Sequence, residues 1–215
     1  MGRPGATAPR VDKVVTSGTF SIDGEDFAVD NNIWIVGDDE ECVVIDAAHD
    51  AGPIVEGVAG RKVVAIVCTH GHNDHINAAV ALADAVDAPI WLHPADTMLW
   101  EAVHPHRPVD APLNDGQVIA VGGHKLKVIH TPGHSPGGCS LLDASADLLF
   151  SGDTLFKGGP GATGRSFSSF ATIIDSIQDR LLPLPDETVV HTGHGDDTTI
   201  GVEAPDLAEW VARGH

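Results

Sequence analysis

The sequence predicts a mixed α/β protein, with mixed β-sheets covered by helices. Three observations predict it. Strand-like apolar runs at residues 42–45 (CVVI) and 62–68 (KVVAIVC) are interleaved with segments of helical spacing, such as residues 76–86. Turn signals at Asp23-Gly24 and Gly122-Gly123 join neighbouring strand patterns into hairpins, so antiparallel pairs accompany the crossovers. The 215 residues are 42% hydrophobic, enough for one sizeable core, so a single domain over residues 1–215 is expected.

Residues 1–10 (MGRPGATAPR) read as a loose tail without the apolar core of a signal peptide. Residues 14–22 and 27–36 are the first hairpin, 42–45 a short buried strand ending at Asp46, and 54–58 a short helix closed by Gly60. Residues 62–68 are a buried strand, 76–86 a helix, 89–93 a strand and 94–103 a helix whose Pro94 suits a first turn. Three prolines make residues 104–112 a loop. Two strand-like stretches within 117–130 deliver the loop Thr131-Pro132-Gly133-His134, and strands at 139–142 and 148–151 follow, the second running into Gly152-Asp153. A glycine-rich segment, 158–164, precedes a helical pattern over 168–182 in which Phe170, Ile173, Ile174 and Ile177 share a face. A last strand, 188–191, leads to Gly193-His194-Gly195, and 205–213 is a terminal helix.

The formal charge of −19, with only 12 Lys and Arg, excludes a partner bound through its phosphate backbone, so no nucleic acid is expected. Cys42, Cys68 and Cys139 each lie in an apolar run and form no C-x-x-C pair, which fits buried reduced thiols and a cytoplasmic location. No run of about 18 apolar residues occurs, so no membrane span is expected.

The chemistry is concentrated in Cys68-Thr69-His70-Gly71-His72-Asn73-Asp74-His75-Ile76, which places four candidate metal ligands within six residues on a strand-to-helix loop. Alternation at the strand end lets His70, His72 and Asp74 converge while His75 turns to a neighbouring point, which suggests two metals. A structural zinc site would be closed and thiolate-rich, and no cysteine pair is present. His134, Asp153 and His194 recur in the same context, each at a strand end beside Gly or Pro. Five imidazoles and two carboxylates suit zinc, iron or manganese.

His70-Gly-His72-Asn-Asp74-His75 followed by His134, Asp153 and His194 resembles the metallo-β-lactamase superfamily, and the pattern covers nearly the whole chain. The resemblance implies a four-layer αββα sandwich of two mixed sheets flanked by helices. Similarity to the glyoxalase II branch implies that His70, His72 and His134 hold one metal, that Asp74, His75 and His194 hold a second, and that Asp153 bridges them with a hydroxide. Zinc β-lactamases lack the bridging aspartate, which demotes antibiotic hydrolysis. Flavin-containing relatives carry Glu in place of His72 and need a further domain, and the acidic balance speaks against RNA-processing members.

Two cations about 3.5–4 Å apart lower the pKa of a shared water to about 7 and polarise a carbonyl, so attack on a thioester or ester follows. Asp74 is the candidate to steer the proton of that water. Asp46, ending a buried strand, is expected to orient ligands by hydrogen bonds, and Lys157 and Arg165 are candidates to meet an anionic substrate group. The near phosphate-loop Gly159–Ser166 is rejected, because no strand directly precedes it and Arg165 stands where lysine is required.

Only 21 residues follow His194, whereas glyoxalase II adds a helical domain that holds glutathione, so the chain resembles the short single-domain relatives. The expected substrate is a small-molecule thioester of glutathione or another thiol such as mycothiol. The alternatives are a persulfide dioxygenase with a single iron, a lactonase or other ester hydrolase, and a metal-binding module without turnover.

Overall fold

A computed structural model describes residues 8–214 of the chain. The expected loose tail falls outside the described residues up to position 7, and Arg10, assigned to that tail, instead begins the first strand. The elements in chain order are β1 (Arg10–Ile22), β2 (Glu25–Gly37), β3 (Glu41–Ile45), α1 (Ala51–Val58), β4 (Lys62–Val67), α2 (Asn73–Ile76), α3 (Ala79–Val86), β5 (Ile90–Leu92), α4 (Thr97–Val103) and β6 (Ala111–Pro112). There follow β7 (Val118–Val121), β8 (His124–His130), β9 (Cys139–Asp143), β10 (Leu148–Gly152), β11 (Leu155–Phe156), β12 (Gly159–Pro160), α5 (Phe170–Ser176), β13 (Val189–Thr192), β14 (Thr198–Thr199), α6 (Ile200–Glu203) and α7 (Leu207–Arg213).

Two six-stranded sheets form, in the orders β1-β2-β3-β4-β5-β6 and β14-β13-β10-β9-β8-β7, with β11 and β12 a separate small ribbon. Both sheets are mixed: β3 through β6 run parallel while β1 to β3 are antiparallel, and β10 pairs parallel with β13 but antiparallel with β9. The two-fold period of each strand sorts its residues between two apolar layers. Ile33 and Ile35 of β2 face the side covered by Ile54, Leu82 and Trp100 of α1, α3 and α4. Trp34 and Val36 face the other way and meet Leu126, Val128, Leu141 and Phe150 of the second sheet. On the outer side of that sheet, Leu142, Leu149 and Val190 meet Ile173, Ile174 and Trp210 of α5 and α7. Three apolar layers thus separate four layers of structure, which is the αββα sandwich. Sheets covered on both faces explain why these strands read as continuous apolar runs.

Two helical expectations are corrected. The pattern over 76–86 is not one helix, because Ala78 N donates to Ala47 O at 3.0 Å and Ala47 N donates to His75 O at 2.9 Å. These bonds to the loop after β3 interrupt the ladder and separate α2 from α3. The pattern over 168–182 starts as α5, capped by Ser169 accepting from Thr172 N, and widens into a π turn over Ile177–Leu181. All three cysteines are free and buried. No helix among the described residues is long and apolar enough to cross a membrane.

Candidate metal centre

β4, β8, β10 and β13 all release the chain at one edge of the sandwich, and the segments that follow carry the seven residues of interest. The structure brings them into two touching groups. In the first, His70 Nε2 and His72 Nδ1 are 3.1 Å apart, and His72 Nδ1 and His134 Nε2 are 2.9 Å apart. In the second, His75 Nε2 lies 3.5 Å from Asp74 Oδ2 and 3.2 Å from His194 Nε2. Asp153 stands between the groups: Oδ1 is 3.4 Å from His75 Nε2, and Oδ2 is 3.5 Å from His134 Nε2 and 3.4 Å from His194 Nε2. Strand alternation alone had grouped Asp74 with His70 and His72. That is corrected, because extended backbone ends at His72, the residue capping α2, and the helical turn carries Asp74 and His75 to the second group.

Hydrogen bonds at the outer ring nitrogens fix which nitrogen faces inward. His134 Nδ1 donates to Ala162 O at 2.7 Å, and His194 Nδ1 donates to Asp30 O at 2.7 Å. His75 Nδ1 donates to Asp46 Oδ2 at 2.8 Å. His70 Nδ1 is 3.1 Å from Thr69 Oγ1, whose own proton goes to Asp46 Oδ2 at 2.9 Å. In these four rings Nδ1 therefore carries hydrogen and Nε2 can offer its lone pair to the centre, whereas His72 faces the centre with Nδ1.

The electrostatics ask for positive charge. Burial works against the charge on His75 and His194, yet Asp153, Asp74 and Asp46 hold His75 well above its ordinary value, and Asp153 takes His194 up to about 10. Burial also opposes the charge on Asp74, but His75 and the hydrogen bond from His194 bring it down to about 2. Away from the carboxylates the balance reverses, and burial pushes His72 down to about 3. Asp74 Oδ1 and Asp153 Oδ1 are buried acceptors without a hydrogen-bond partner. A tetrahedral ion with nitrogen ligands at about 2.0–2.1 Å separates them by about 3.3 Å, close to the spacings of the first group. The donor set therefore fits divalent cations of the zinc, iron or manganese type, with His70, His72 and His134 on one, Asp74, His75 and His194 on another, and Asp153 shared.

Around these donors lie three buried positioning groups. Asp46 accepts from Thr69 N at 2.7 Å as well as from Thr69 Oγ1 and His75, so it anchors the loop at two ligands. Asn31, not singled out in the sequence, donates from Nδ2 to Asp74 Oδ2 at 3.0 Å and accepts from His49 Nε2 at 2.8 Å. Its signal was legible: Asn31-Asn32 interrupts the apolar run of β2 with two amides. Asp96, also missed, accepts from Gly71 N and Ser135 Oγ, at 2.8 and 2.7 Å, and from Gly137 N. Nothing in the sequence distinguishes it from a carboxylate at the start of a helix.

The two substrate candidates separate. Lys157 pairs with Asp196 at 3.0 Å and lines a hollow of about 420 Å³ beside His194, together with Phe156, Gly195 and Asp196. Arg165 instead pairs with Glu25 and lies 5.5 Å over the Phe27 ring, and neighbouring Ser166 bonds Asp23, so this loop is committed to the tip of the β1–β2 hairpin. That hairpin reaches the centre through Phe20, whose ring is 5.2 Å from that of His72.

Residues 27–194 match the sequence profile of the metallo-beta-lactamase superfamily. A hydroxyacylglutathione hydrolase, GloC of Haemophilus influenzae, is 31% identical over 192 residues, covering 82% of this chain and 91% of its own. Among solved structures, TTHA1623 in a di-iron-bound form is similar with a TM-score of 0.72 and 34% identity over 82% of this chain and 93% of its own. The BLEG-1 B3 metallo-beta-lactamase is similar with a TM-score of 0.75 and 29% identity over 88% of this chain and 97% of its own.

Proposed function

The chain belongs to the metallo-beta-lactamase superfamily, whose members include metal-dependent hydrolases, and on that premise we propose that it cleaves the thioester bond of S-acyl conjugates of a low-molecular-weight thiol. The observation that carries the reading is the convergence of five inward-facing imidazoles and two carboxylates in two groups sharing Asp153. Similarity to a hydroxyacylglutathione hydrolase supports the thioester as the bond attacked. Two divalent cations held there would supply a water ionised near neutral pH and a Lewis acid for the developing oxyanion.

The chain's own residues supply the rest. Asn31 holds Asp74 by Oδ2 and leaves Oδ1 unpartnered, so a carboxylate that stays ionised faces the attacking water and orients its proton. Asp46, Ala162 and Asp30 keep the rings of His75, His134 and His194 from turning. The hollow beside His194 receives the thiol carrier, where Lys157 faces its anionic end.

The test is a turnover panel with metal-reconstituted protein over thioesters of several thiols, a lactone and a β-lactam. Thioesters are expected to be cleaved with a kcat/KM at least about 100-fold above the other substrates, a factor worth about 2.7 kcal/mol of transition-state stabilisation. Failure on every thioester removes the substrate class. One iron per chain with oxygen consumed on a persulfide replaces hydrolysis by oxidation.

A further inference from the structure

We propose that Asp96 is a positioning residue that clamps the two loops of the first group, His70, His72 and His134, and sets the metal affinity of that group alone. The inference rests on the two-metal reading above. Asp96 ends the short turn Pro94–Asp96 ahead of α4, and its side chain is 0% exposed. Its Oδ2 accepts from Gly71 N, the amide between His70 and His72, at 2.8 Å, and from Ser135 Oγ, next to His134, at 2.7 Å. Its Oδ1 accepts from Gly137 N on the same loop as His134. One loop leaves β4 of the first sheet and the other leaves β8 of the second, so a single carboxylate ties the sheets together at the point where their ligands meet.

The glycines report the same closure independently. A Cβ on Gly71 would lie 2.8 Å from Leu99 Cβ and 3.0 Å from Asp96 Cβ, and one on Gly137 would lie 2.7 Å from Asp96 Cγ. Both loops approach the carboxylate so closely that a side chain fits at neither position. A carboxylate is required because all three neighbours are donors and an ionised carboxylate only accepts. An amide would turn its NH2 toward one of them, leaving a buried donor without an acceptor.

Selectivity for the first group follows from separate anchors in the second. His75 is held by Asp46, Asp74 by Asn31 and His194 by Asp30 O, and Asp96 bonds none of these. Loss of the clamp therefore loosens His70 and His72 relative to His134 while leaving the second group braced.

Zinc titration of metal-free protein against a competing chromophoric chelator tests this, with thermal unfolding of the metal-free forms as the control for folding. Wild type is expected to bind two ions per chain. Asp96→Asn is expected to weaken one ion about 10–100-fold, the range typical of groups that orient ligands, and to leave the other within about threefold. Ser135→Ala, which removes one of three donors, is expected to show a smaller loss of the same kind. Site identity comes from backgrounds with one group disabled: adding Asp96→Asn to His194→Ala should weaken the remaining ion, and adding it to His72→Ala should not.

Unchanged affinities, or equal weakening of both ions, would overturn the proposal. If Asp96→Asn does not fold, Ser135→Ala decides, and an undisturbed first ion there overturns it as well. A wild type that binds fewer than two ions instead overturns the two-metal reading on which this rests.

Discussion

Asp46 sits at φ 64° and gathers three donors, Thr69 N, Thr69 Oγ1 and His75 Nδ1, so its replacement separates charge from shape. Asparagine tolerates that left-handed backbone. Its NH2 would nonetheless face either Thr69 N–H, in place of Oδ1, or both the Thr69 hydroxyl and His75 Nδ1–H, in place of Oδ2, where the ring relieves the clash by moving its hydrogen to Nε2. The lone pair would then point away from the centre. Asp46→Asn is therefore expected to lower affinity for the ion at Asp74, His75 and His194 about 10–100-fold, and to destabilise the metal-free protein by about 1–3 kcal/mol. Metal titration and chemical denaturation check the two parts; an unchanged second site would show that Asp46 only caps the loop. At this scale the sequence was most informative where residue type is chemically restrictive. Histidines packed beside glycine at strand ends have few uses besides ligation, so His70, His72 and His75 stood out. Asp96 was invisible because its three partners come from segments distant in sequence, and a helix-start aspartate normally needs no such explanation.

The elements show why those side chains meet. The His134 loop bends at Gly133, with φ 138°, and packs its backbone on α5: a Cβ there would lie 2.3 Å from Ile173 N. Gly133→Ala would meet both an unsuitable conformation and the first turns of α5, whose Ile173 and Ile174 lie in the outer core layer. The expected result is destabilisation of more than about 1 kcal/mol together with reduced metal content, since the displaced loop carries His134. Denaturation midpoints and metal analysis check it, and a stable variant with full metal content would show that the loop has slack. Strands were legible because two covered faces demand long apolar runs, and the hairpin turn at Asp23-Gly24 carried its own signal. The break between α2 and α3 was not legible, since it is imposed by Ala47, a residue of another segment bonding across to His75 and Ala78. The two-residue strands β6, β11, β12 and β14 are likewise tertiary products, too short for a period to register.

At the scale of the molecule, the three apolar layers lie between sheets and helices, and the seven candidate ligands lie at one rim. Folding and metal binding should therefore separate on chelation, unlike in small zinc domains that unfold without the ion. The metal-free protein is expected to keep its far-UV circular dichroism and unfold cooperatively at a lower midpoint, because a ligand present at about 1,000 times its Kd contributes about 4 kcal/mol. Its pH dependence should also change. His49 and His93 are held below 6.5 chiefly by burial, His93 also by charge repulsion from the neighbouring His130, so the unfolded chain takes up those protons first and stability falls as pH drops through 6.5. His194 has the opposite sign. Although burial works against its charge, Asp153 holds its folded value at about 10, so its contribution is complete below 6.5 and is lost as pH rises toward 10. Metal-free protein should thus lose stability on both limbs. With a cation in the second group, the charge His194 supplied is replaced and the ring is needed neutral, so the alkaline limb should flatten while the acid limb remains or steepens. Denaturation midpoints from pH 5 to 10, with and without chelator, check this, and an alkaline limb equally steep in both forms would show that no cation stands where the proton of His194 does.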